Sequence, residues 1–246
     1  MMTRAAPVGC PRFLLGGAQG WERSRASGTS KIKGAMMRGL VLMILLASAA
    51  FGADLSTVVG GEKDATAAVQ AALDERAKAG GGIYDLAPGR YRFDGALNIP
   101  EGVTLRGSFS YAPSHPGLKG EGAEVAVSGT VLEVYAGAGD ENGTPFLTIN
   151  GNAAVQGVCV RYPAYKAIDA SRNQRSIVRN IHGQAIALGV FVDTVYDIGR
   201  IENVHWNPWW SMGTPVYQWQ LEHGVAFEFA RTDWHYVLNT FCYGYN

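Results

Sequence analysis

Between Val155 and Trp206 the apolar positions return at a fixed interval. The segments VQGVCV, VRNIHG and IENVHW begin at Val155, Val178 and Ile201, 23 residues apart each time. In each copy an apolar residue is followed two places on by Gly157, Asn180 or Asn203, and then by Val158, Ile181 or Val204. Gly and Asn enter the left-handed backbone region at the lowest cost, so this column predicts a bend repeated in register between short strands. Past the bend a period of two puts Val204 and Trp206 inside and His205 outside. A repeat of this length with β-branched bias predicts a β-solenoid. The spaced leucines of a leucine-rich repeat, the main rival, are absent.

The rest of the pattern fits around this repeat. DATAAVQAALDERAKAGGG, residues 64–82, predicts a helix with Asp64 as N-cap and an apolar face of Ala65, Ala68, Val69, Ala72, Leu73 and Ala77. Gly80 to Gly82 stop it, and Asp74 and Lys78 stand at i,i+4 on the wet side. Such a helix is the expected plug for the exposed end of a stack of repeats. Short strands follow, punctuated by turns at Pro88-Gly89, Asp94-Gly95 and Pro100-Glu101-Gly102. Residues 111–124, rich in Pro and Gly, predict an inserted loop, after which strands resume at 131–135, 146–149 and 225–229. No closing segment follows TFCYGYN, which predicts a chain truncated at its C-terminal side.

Composition changes this picture only after the N-terminus is set aside. Residues 36–52, MMRGLVLMILLASAAFG, combine a basic start, a short apolar core and small residues, as a signal peptide does, with cleavage after Ala50 or Gly52. The core is too short to span a bilayer. Residues 1–35 then read as a disordered leader or a mis-assigned start, and 53–246 as the N-terminal part of the repeat domain. Seven of the 21 basic and one of the 21 acidic residues precede Ala53, leaving 14 against 20, a net of −6 for the exported part. That balance offers no basic stripe for nucleic acid. Of three cysteines, Cys159 and Cys242 belong to the exported part, and the spacing leaves open whether they pair or are buried as small apolar residues.

DATAAVQAAL followed by AGGGIYDLAPGRYRFDGALNIPEGVTLRG resembles the pectate-lyase-like family, in particular its rhamnogalacturonase/epimerase-like pectate lyase domain, strongly over about residues 55–110. The resemblance implies a right-handed parallel β-helix, secreted or periplasmic, acting on polysaccharide by hydrolysis or by β-elimination. Elimination would call for Ca²⁺, and the acidic chain without clustered Lys speaks for a hydrolase, with no cofactor expected. A non-catalytic glycan-binding or adhesion module is the alternative of a different class.

Glycoside hydrolysis needs two carboxylates roughly 5–9.5 Å apart, and stacked repeats set neighbouring rows about 4.8 Å apart. Asp193, Asp197 and Asp233 are the catalytic candidates, with Glu202 a further strand carboxylate. The outward column Cys159, His182, His205, extended by the same period to Glu228, predicts a polar face that lines the substrate. A metal site on it would need a third ligand, and none is assigned. Trp209 and Trp210 follow the Asn207-Pro208 turn beside that face. One of them is expected to pack down and the other to offer its ring to a sugar.

Overall fold

The computed structural model describes residues 61–112, 129–137, 139–161, 165–208 and 210–246. The leader, the signal-peptide segment, Trp209 and most of the 111–124 loop lie outside the described residues. Helix α1, Thr66–Lys78, starts the described part, buries Val69, Ala72 and Leu73, and is followed by three glycines with positive φ. Asp64 acts one place earlier than a regular N-cap, its carboxylate accepting from the Thr66 backbone N–H (2.9 Å) and the Thr66 hydroxyl. Lys78 pairs with Glu75 (3.1 Å) and not with the expected Asp74, which instead accepts from Gln70 (2.8 Å). Gln70 also caps strand edge 98, donating to the Asn98 carbonyl and accepting from its N–H, each at 2.9 Å.

The strands are β1 (Gly82–Asp85), β2 (Gly89–Phe93), β3 (Leu97–Ile99), β4 (Val103–Arg106), β5 (Thr130–Val134), β6 (Leu147–Ile149), β7 (Ala154–Gln156) and β8 (Cys159–Arg161). They continue with β9 (Lys166–Asp169), β10 (Ile177–Gly183), β11 (Leu188–Val192) and β12 (Val195–Trp206). Helix α2 (Pro215–His223) then precedes β13 (Val225–Phe229), β14 (Thr232–Leu238) and β15 (Phe241–Cys242). The pairings among the described strands are parallel, in a sheet of ten strands and a sheet of five, the latter ordered β13-β11-β9-β6-β3.

This corrects the expectation of an all-β, right-handed parallel β-helix with an N-terminal capping helix. Two separate parallel sheets are present instead, and the strand order of the ten-stranded one branches. Strand β10 runs through its bend and pairs with β7, β8 and β12, while β12 pairs with β10, β14 and β15. The 23-residue period also breaks at α2. Its first turn is set by Thr214, whose hydroxyl accepts from Tyr217, and by Pro215 at the first helical position. Its Gln220 is fully buried, accepting from Gln184 at 2.7 Å. The helix lengthens the chain between rows, so His205 is followed in register by Phe241 and not by Glu228.

Where the period holds, the register follows it. Leu105, Val155, Val178 and Ile201 align in successive strands and are at most 1% exposed, within one apolar core to which both sheets contribute. Gly157, Asn180 and Asn203 all have positive φ, of 71°, 54° and 54°, and Asn203 Nδ2 donates to Asn180 Oδ1 at 3.0 Å. Asn203→Val should therefore lower stability by about 1–2 kcal/mol, the cost of forcing a β-branched residue left-handed. Asn203→Gly should lose little more than the amide bond. Thermal melts of the two variants check this, and a larger loss for Gly would contradict it.

Candidate functional site

The connections that leave the five-stranded sheet for the ten-stranded one stack at one corner and enclose a groove of about 670 Å³. Asn98 comes from β3, Pro100 and Glu101 from the β3–β4 connection, and Asn150 and Gly151 from β6–β7. Arg172, Asn173 and Gln174 follow β9, and Thr194 and Tyr196 follow β11. Asn150 Nδ2 bridges rows, donating to Asn98 Oδ1 (2.8 Å) and to the Ile99 carbonyl (2.7 Å). Asn173 is buried, and its Nδ2 donates to the Ile149 carbonyl at 2.8 Å. Glu101 accepts from Asn152 at 3.2 Å. Two lining residues hold left-handed backbone, Arg172 (φ 52°) and Thr194 (φ 54°). For β-branched Thr194 this costs about 1–3 kcal/mol, strain of the kind kept where a surface must keep its shape.

None of the three predicted catalytic carboxylates is among the groove-lining residues, although Asp193 and Asp197 are chain neighbours of the lining residues Thr194 and Tyr196. Asp193 precedes Thr194, and its Oδ1 accepts from the Arg231 backbone N–H at 3.2 Å. Asp233 pairs with the Arg231 guanidinium at 3.3 Å. That guanidinium lies 4.4 Å from the ring centre of Tyr196, which is 53% exposed. Asp197 is held by Arg175 at 2.7 Å, and that bond keeps its carboxyl below the ordinary carboxylate range. It is therefore ionised and a poor proton donor.

The predicted outward column is found elsewhere and in another state. Val131, Cys159, His182, His205 and Phe241 do align on the ten-stranded sheet. His182, however, is fully buried and cannot line a substrate as expected. Phe109 meets its ring edge-on at 4.6 Å, and neither ring nitrogen has a hydrogen-bond partner. Burial, with a smaller contribution from His205, lowers its pKa from 6.5 to about 3. Trp210 packs with Phe109 against Val131 and Cys159, and Arg161 lies 5.7 Å from its ring. His205 is half-buried beside Phe241. Glu228 is exposed on β13, in the other sheet, opposite Phe191. Cys159 and Cys242 are both free thiols, one buried and one exposed.

Sequence reading missed the groove lining, though a signal was available. Asn150, Asn173 and Tyr196 are themselves 23 residues apart, as are Gly151, Gln174 and Asp197. Among the described residues no group of three or more His, Cys, Asp or Glu side chains is placed to hold a metal ion, and no helix is long and apolar enough to cross a membrane.

No family model and no curated protein matches the chain. Two solved structures are similar to it at low identity. One is a protein described as a "putative glycosyl hydrolase" from Parabacteroides merdae, 14% identical over 74% of this chain and 90% of that one, with a TM-score of 0.43. The other is the ORF18 product of Geobacillus virus E2, 13% identical with a TM-score of 0.44. That alignment covers 86% of this chain but 46% of the viral protein.

Proposed function

We propose that this protein acts on a polysaccharide held in the corner groove, outside the cytoplasm, and that the reaction is glycoside hydrolysis. A groove lined by amides, Arg172 and Tyr196, with Asp193 and Asp197 next in the chain to its lining residues and Arg231 linking Asp193 to Asp233, carries this reading. Amides and carboxylates bond sugar hydroxyls, and an exposed ring packs on the apolar face of a sugar. Arg231 links Asp193, which accepts from its backbone N–H, to Asp233, which pairs with its guanidinium, and hydrolysis calls for two carboxylates roughly 5–9.5 Å apart. Asp193 and Asp233 are the assigned pair, with Asp197 as a fixed negative charge beside them.

Binding without chemistry is the second reading, favoured by the arginine partners of Asp197 and Asp233. Incubation with a panel of plant and microbial polysaccharides separates the two. Hydrolysis releases new reducing ends, and Asp193→Asn and Asp233→Asn should each lower their rate about 100-fold or more while binding persists. Binding with no product supports the second reading. Unsaturated, ultraviolet-absorbing ends would replace hydrolysis by elimination.

A further inference from the structure

We infer that the groove takes a neutral glycan whose chain runs across the rows, with one sugar stacked on Tyr196; this rests on the glycan reading of the groove. The direction follows from the register. Asn150, Asn173 and Tyr196 occupy equivalent places in three successive rows, and Asn98 joins Asn150 through their amides. Rows about 4.8 Å apart therefore present a line of polar contacts perpendicular to the strands. A linear chain laid along that line meets a new protein row at each step. A chain laid parallel to the strands would cross only one row and leave the groove.

The class follows from charge. Each guanidinium at this corner already faces a carboxylate: Arg172 with Asp169 (3.5 Å), Arg175 with Asp197 (2.7 Å) and Arg231 with Asp233 (3.3 Å). Glu101 and Asp193 add two carboxylates beyond these pairs. A uronate carboxylate entering here would meet a negative balance and no arginine left to receive it bidentately. Neutral hydroxyls meet amide donors and acceptors without that cost. Tyr196 completes the line. Arg231 covers the ring from one side, and the residue's 53% exposure leaves area for a sugar ring to pack on.

Calorimetric titration of the full chain with cellohexaose, xylohexaose, mannohexaose, hexagalacturonate and the glucosamine hexamer tests this, alongside Tyr196→Ala and Tyr196→Phe. At least one neutral hexamer should bind. Tyr196→Ala should weaken it about tenfold or more with the thermal melt unchanged, and Tyr196→Phe should bind like the wild type because the ring and not the hydroxyl makes the contact. Preference for hexagalacturonate or for the glucosamine hexamer would overturn the neutral class while leaving a glycan groove in place. Neutral binding unaffected by Tyr196→Ala would overturn the stacking assignment. Binding of none of the five would overturn the underlying glycan reading itself.

Discussion

Gly183→Ala is expected to cost about 3–5 kcal/mol and to leave little folded protein at 37 °C. Gly183 lies in β10 between Val160 of β8 and Trp206 of β12, at a φ of +150°. A Cβ there would collide with the Val160 carbonyl oxygen and stand 2.8 Å from its carbonyl carbon and 2.9 Å from its nitrogen. All three are backbone atoms of a paired strand, so no rotamer change relieves the contact. Widening the gap would break the Gln184 N–H to Val160 carbonyl bond (3.0 Å), which continues the same ladder. Gly213→Ala supplies the comparison, because Gly213 has a φ of +79° and nothing within 4 Å of its would-be Cβ. Only the left-handed backbone is charged there, about 1–2 kcal/mol. Urea unfolding of both variants should place Gly183→Ala well below Gly213→Ala. Equal midpoints would mean that the β8–β10 approach is looser than described.

Those glycines show how far the repeat could be read from the chain. A 23-residue interval is visible to the eye because the same residue types must recur where the same bend and the same inward column recur. Val155, Val178 and Ile201 therefore announced their alignment, and Asn180 and Asn203 their left-handed backbone. The interval did not announce α2, because Thr214-Pro215 is a helix start with no periodic apolar face behind it: only Gln220 of that helix is buried. Extending the period through α2 put Glu228 into the wrong sheet. The same interval did connect Asn150, Asn173 and Tyr196, but polar residues at a corner carry no inward pattern to draw notice. The outward column failed for a different reason. Its burial is decided by Phe109 and Trp210, which arrive from the segments after β4 and β12, and alternation within a strand says nothing about what covers its outer face.

That covered face makes His182 the second site of large effect. Its imidazole stays neutral down to about pH 3, whereas an unfolded chain protonates it near 6.5. The unfolded state thus binds the extra proton first, and stability conferred at neutral pH is lost as pH falls from 6.5 toward 3. The slope approaches 1.4 kcal/mol per pH unit, so moving from pH 7 to 4.5 should cost about 3 kcal/mol. His235, also held neutral by burial, adds a slope of the same sign. Asp64, Asp85 and Asp197, all lowered from 3.8, lose their contributions only at lower pH. The comparison of wild type with His182→Leu isolates the one residue, because the other groups titrate alike in both. Both ring nitrogens of His182 lack partners beside Phe109 and Cys159, so leucine forfeits no hydrogen bond and removes two buried polar atoms. His182→Leu should match or exceed the wild type by about 1 kcal/mol at pH 7, and the gap should widen to about 4 kcal/mol at pH 4.5. Urea midpoints at pH 7, 5.5 and 4.5 measure it. Parallel losses in the two proteins, or a variant weaker at every pH, would show that the imidazole is solvated or hydrogen-bonded in the folded state.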